Sequence, residues 1–291
     1  MSNGIGLTTI LGCLDVSEKQ ARLNPADWKA GSSAGRGQIA FLASQLGWRA
    51  GLAFFDPETL RSYATTVYEH LLAKMAEWKV RLDNPPCGGP GSVYMLSQLK
   101  ELLSWKTKGE KVKRAAWPEF RLKDVRFYRY GQDDDKVVVE VETENGDKVY
   151  LTRGNSEELQ GMDLLAEIEM IEMGMAPTYA EWDGVIVPMV MADIEADLEW
   201  IIGMRNSGFA ITYAQQKISF GMNEQGFAVR EETVMVMEKC VRIVRPDFIL
   251  SPNGNSFIFW RRREGVGYPV SAYQITRGDF KDPGDLTDIV K

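Results

Sequence analysis

Two runs of strand-forming residues, Val137-Val138-Val139 with Val141 and then Val149 with Leu151, flank the tetrapeptide Glu144-Asn145-Gly146-Asp147. An Asn-Gly pair in that setting is the strongest short-range signal for a two-stranded hairpin, because both residues tolerate the positive φ that a tight turn demands. A hairpin over residues 136–152 is therefore expected, and it commits the middle of the chain to β-structure. From Phe209 to Thr276 the pattern again suits a pleated surface. Strands are expected at 209–221, 227–238, 241–250, 256–262 and 268–276, with turns at 221–226, 251–254 and 264–267.

Elsewhere the apolar period is helical. Asp56-Pro57-Glu58 supplies a capping carboxylate, a proline at the first helical position and an acid in the first turn. Leu60, Ala64, Val67, Leu71, Met75 and Trp78 then predict an amphipathic helix over 57–80. The break at 84–91, Asn-Pro-Pro-Cys-Gly-Gly-Pro-Gly, stops it by removing backbone donors and loosening φ. Further helices are expected at 93–105 through Leu96, Leu99, Leu102 and Leu103, at 156–173 with Ser156 as cap, and at 193–204 through Ile194, Leu198, Ile201 and Ile202. Residues 185–191 read as a buried strand. The order helices, strands, helices, strands predicts an α+β fold with a helix-rich N-terminal third and a strand-dominated C-terminal part of mixed and antiparallel sheets. The 291 residues suit a single domain, with 1–84 as a helical part and 85–291 as an α+β part its natural subdivision.

Charge narrows the partners. A net charge of -7 opposes binding to phosphate backbones and to anionic lipid, so nucleic acid and membrane are not expected partners. The longest apolar run, 185–191, falls far short of the ~18 residues that span a bilayer. The first residues carry apolar character (Ile5, Leu7, Ile10, Leu11) but no leading positive charge, which reads as cytoplasmic. Cys13, Cys87 and Cys240 are odd in number and widely spaced, as expected of reduced, buried thiols.

Catalytic and cofactor signatures are thin. The single histidine, His70, falls in the expected 57–80 helix without a ligand partner at useful spacing, which excludes a histidine triad or zinc site built around it. Gly31-Ser-Ser-Ala-Gly-Arg-Gly-Gln38 lacks the Gly-Lys-Ser/Thr ending of a phosphate loop. The acids Glu167, Glu169 and Glu172, and the run Asp133-Asp134-Asp135, lack calcium-loop spacing and read as solvated faces. Trp182-Asp183-Gly184 resembles a nucleotidyl-transfer motif, with Glu181 near where the reactive lysine would stand. No cofactor or metal is expected. One interaction patch stands out: Lys106, Lys108, Lys111, Lys113 and Arg114 between Trp105 and Trp117, with Arg261-Arg262-Arg263 as a shorter one.

Several segments resemble the serpin superfamily, in the family's order and mainly over residues 85–280. Asn223-Glu224-Gln225-Gly226 resembles the turn that opens the reactive-centre hinge, and Lys217-Ile218-Ser219-Phe220 the strand leading into it. Phe257-Ile258-Phe259-Trp260 and 275–278 resemble the closing pair of strands, and Val187-Pro188 with Asp197-Leu198 the strand-then-helix element ahead of the hinge. Residues 136–151 with the helix at 156–173 resemble the central element, and the stretches 51–60 and 85–105 resemble altered earlier ones. The chain is shorter than a serpin, and its start lacks the family's first helix. Inhibitory serpins insert the hinge into a sheet and carry small residues there. Here those positions read Phe227-Ala228-Val229-Arg230-Glu231-Glu232. The resemblance therefore implies a reduced, non-inhibitory member, with Asn223, Glu224, Gly226, Arg230, Glu231 and Glu232 as its reactive-loop-like segment and residues 226–238 at a sheet margin.

The expected function is non-catalytic, through contact with a protein partner or self-association. One alternative is a self-assembling structural subunit, such as a virion or scaffold component, anchored by Trp28, Trp48, Trp182 and the methionines between Met170 and Met175. The other is a carboxylate-based hydrolase pairing Asp183 with Glu181 or Asp193.

Overall fold

The computed structural model describes residues 2–31, 35–80, 82–83, 86–131, 136–154, 158–178, 182–228 and 246–291. Its centre is the expected hairpin, Val137–Glu142 paired antiparallel with Lys148–Arg153. A seven-stranded antiparallel sheet grows from it in the order Asn3–Ile5, Ser271–Ile275, Phe257–Arg262, Lys148–Arg153, Val137–Glu142, Arg126–Arg129, Ala176–Pro177. Val137, Val138 and Val139 are all fully buried, since both faces of this sheet are covered.

Helices cover one face: α1 (Leu7–Ala21), α2 (Arg36–Arg49) and α4 (Gly161–Gly174), with α3 (Tyr68–Glu77) set apart. Leu11, Phe41, Leu164 and Ile168 pack there on Val138, Ile258 and Trp260, and the Tyr150 ring stacks on Trp260 at 5.3 Å. On the opposite face Val139, Leu151, Phe257 and Phe259 meet two four-stranded sheets. One runs Phe248–Ile249, Gly184–Pro188, Glu119–Lys123, Glu110–Val112; the other, here the hinge sheet, runs Val190–Ala196, Gln216–Asn223, Gly226–Phe227, Leu103–Ser104. The chain passes from one to the other at Met189, whose N–H donates to Pro118 O at 2.8 Å. This is an α+β architecture.

Three expected helices are corrected. Residues 57–80 divide into the strand Leu60–Thr65 and α3, because the β-branched run Thr65-Thr66-Val67 disfavours a continuous helix and Leu60–Thr65 finds a partner in Tyr94–Leu99. That pairing also claims the expected helix at 93–105, which becomes Tyr94–Leu99 and Leu103–Ser104. In 193–204 the strand Val190–Ala196 prevails and only Glu199–Ile201 turns, as a 3-10 helix; Val190, Ala192 and Ile194 are buried while Asp193 and Glu195 face out, which is a period of two. Conversely, the start is helical. α1 has no side-chain cap and no acid in its first turn, so it is held by its buried stripe Leu7, Ile10, Leu11, Leu14. α4 begins at Gly161 rather than 156, and Ser156 and Glu157 lie outside the described residues. The expected strands 227–238 and 241–250 are described only at Gly226–Phe227 and Phe248–Ile249. Strand 209–221 is realised mainly as Gln216–Asn223, and 268–276 as Ser271–Ile275.

Cys87 is exposed, against the expectation of a buried thiol; Cys13 is half-buried, and burial pushes its thiol up to about 12. Cys240 lies outside the described residues. His70 is exposed on α3. Among the described residues no helix is long and apolar enough to cross a membrane, and no cluster could hold a metal ion.

Candidate protein-contact site at the hinge

Asn223 and Gly226 pair across a two-residue turn made by Glu224 and Gln225. Asn223 shapes it, its Oδ1 accepting the N–H of Gln225 at 2.9 Å. The returning strand Gly226–Phe227 lies between Gln216–Asn223 and Leu103–Ser104, so residues 226–227 are internal to a sheet and not at the expected margin. A Cβ on Gly226 would stand 2.0 Å from the Leu103 carbonyl oxygen, so the close approach demands glycine. Ala228 continues the pairing, its N–H donating to Gly221 O at 3.0 Å.

Trp105 holds the turn from below. Its backbone N–H donates to Gln225 O at 3.1 Å and its indole N–H to Asn223 O at 2.8 Å. The ring lies 5.2 Å from Phe227, which also packs on Phe259. Arg261, fully buried, sits over Phe227 and pairs with Glu101, as Arg263 pairs with Glu101 and Asp147. Burial alone would raise the Glu101 carboxyl, but Arg261 and Arg263 together outweigh it and hold it below its ordinary value. Glu101 and Asp147 also line a polar cavity of about 360 Å³ with Asp56 and Glu264. Both are engaged by guanidinium groups.

The basic patch divides on folding. Trp105 is core, and Trp117 packs on Phe280 and under Arg277. Lys106 pairs with Glu142 at 2.9 Å, Arg114 with Glu119 at 3.1 Å, and Lys111 with Asp282 at 3.0 Å and Glu224 at 3.8 Å. Lys108 and Lys113 are exposed. Arg261-Arg262-Arg263 is spent internally, Arg262 on Glu172. Arg230, Glu231 and Glu232 lie outside the described residues, as does Glu181. Asp183 and Asp193 line neither described cavity; Asp193 is exposed and accepts the Ser219 hydroxyl at 2.6 Å. Trp28 and Trp182 pack inside the chain, Trp182 on Phe127 and Phe248.

Sequence reasoning missed the cleft beside the hinge. The strand Tyr94–Leu99 pairs with Leu60–Thr65, and Gln216–Asn223 with Val190–Ala196. Their facing sides line an apolar cavity of about 340 Å³ with Ile10, Leu14, Leu71 and Met75. Reading 93–105 as a helix concealed it.

No protein-family model matches the sequence, and no curated protein does. Solved structures do. Human thyroxine-binding globulin aligns over 94% of this chain and 91% of its own at a TM-score of 0.51 and 8% identity. Tengpin, a thermophilic serpin in its native state, aligns over 94% and 88% at 0.51 and 9%. SRPN18 from Anopheles gambiae aligns over 98% and 94% at 0.51 and 12%. The fold is serpin-like and the sequence far diverged.

Proposed function

We propose that this serpin-like chain is a non-catalytic cytoplasmic protein that acts through contacts with a protein partner and does not insert its reactive-loop-like segment. One observation carries the reading. Phe227 lies opposite Met222 and on the core side. If insertion kept that register, Glu231 would come opposite Ile218, which would bring its carboxylate to a largely apolar cavity whose wall includes Ile10 and Leu96. Desolvating a carboxylate against that apolar wall is unfavourable unless it finds a partner such as Lys217 at the rim, which opposes the transition that an inhibitor needs. The free thiols Cys13 and Cys87 suit a reducing compartment.

Limited proteolysis within residues 229–245 followed by thermal melting tests this. The expected result is an unchanged or lowered melting temperature after cleavage. A sharp rise would mean that the cleaved segment enters the sheet, and the non-inhibitory reading would fall.

Self-association has a separate support. Met170 and Met173 are 58% and 82% exposed on α4, and Ile39 and Leu46 are exposed on the neighbouring α2. Such apolar side chains serve as contact anchors. Sedimentation of a stable monomer across micromolar concentrations would remove this second reading.

A further inference from the structure

After Phe280 the chain turns back over the outer face of the hinge sheet. Asp282 accepts the Gly284 N–H at 2.9 Å and pairs with Lys111 at 3.0 Å, while Gly284 O accepts the Asn223 side-chain amide at 3.2 Å. The short helix α5 (Thr287–Val290) follows. Leu286 and Val290 are buried against Ala228, with Leu102 and Ile289 packed alongside. A Cβ on Gly221 would meet Ile289 Cδ1 at 2.1 Å and both Leu286 and Pro283 at 3.2 Å. Glycine at 221 thus leaves the seat in which this segment lies. Gly221, Asn223 and Ala228 all face outward by strand alternation, and each is covered by it. Lys111 ties the two together, since it also stands 3.8 Å from Glu224 in the turn. Ile289 and Val290 in addition form part of the wall of the 340 Å³ cavity.

We infer that residues 282–290 form an intramolecular clamp whose receptor is the outer face of the hinge at Leu102, Gly221, Asn223 and Ala228. Docked, the clamp holds Gly226–Ala228 in the sheet; undocked, it frees the hinge and opens the cavity. The clamp does not depend on whether the segment beyond Ala228 inserts, so it stands or falls separately from the proposed function.

The test is amide hydrogen exchange on the full chain carrying Ile289→Asp with Val290→Asp. The Ala228 amide, bonded to Gly221 O, should exchange about tenfold faster or more, while Val138 to Val141 keep their protection. Unaltered exchange at Ala228 with Val138 to Val141 still protected would overturn the clamp. If the double variant loses protection at Val138 to Val141, the fold itself has failed and the milder Val290→Ala gives the decision on the same comparison, a smaller rise confined to residues 226–228 supporting the clamp and no rise sinking it.

Discussion

At the residue scale, the hinge depends on Gly226 and on the charges behind it. With the Leu103 carbonyl 2.0 Å from a Cβ at position 226, Gly226→Ala must push the returning strand outward. Denaturant titration should show a loss of about 1–3 kcal/mol with an unchanged slope. Behind Phe227, Glu101 is ionised between Arg261 and Arg263, so Glu101→Gln, which leaves buried Arg261 with Asp147 at 3.4 Å as its remaining carboxylate, is expected to cost about 1–3 kcal/mol near neutral pH. The sign of the pH dependence follows from the lowered carboxyl. Its contribution is fully present above the ordinary value of 4.5 and is lost as pH falls through the lower value in the fold. Acid titration should therefore narrow the gap between wild type and Glu101→Gln below that point; a gap constant down to full protonation would contradict the ion-pair account.

At the element scale, α1 and the strand pair Leu60–Thr65 with Tyr94–Leu99 decide one another. The Ser62 and Ser97 hydroxyls lie 2.9 Å apart, and a Cβ on Gly12 would meet them at 2.6 and 2.7 Å. Gly12 therefore lets the helix lie directly against the pair. Gly12→Ala should cost about 1–3 kcal/mol by thermal or chemical melting, and adding Ser97→Ala should recover part of it, since the two sites touch. Additive losses in that double variant would show that the close approach is not what Gly12 serves. The same pairing explains why helical spacing in 57–65 and 93–105 misled: a stripe of apolar residues does not say whether a strand partner waits ~35 residues away.

At the scale of the whole molecule, protection should follow coverage. The hairpin Val137–Glu142 with Lys148–Arg153 lies between two packed layers and should be the slowest region in hydrogen exchange, whereas Leu60–Thr65 with Tyr94–Leu99, a two-stranded pair beside the cavity, should open at lower free energy. Equal protection in both would contradict this layering. Local chemistry in the sequence determined the hairpin around Asn145-Gly146, the strand at 256–262 and the helical stripe of α4, and with them the α+β class, because turn propensity, β-propensity and helical periodicity act over a few residues. The turn at Asn223-Glu224-Gln225-Gly226 was likewise legible, since Asn223 closes its own Asx turn. Only the tertiary structure decided that Lys106, Lys111 and Arg114 of the basic patch form ion pairs while Lys108 and Lys113 stay exposed, that Trp105 faces inward, that an apolar cleft separates Gln216–Asn223 from Tyr94–Leu99, and that residues 282–290 cover the turn at 223–226. Most of those rest on contacts between residues tens to hundreds of positions apart, whose free energy no local pattern encodes.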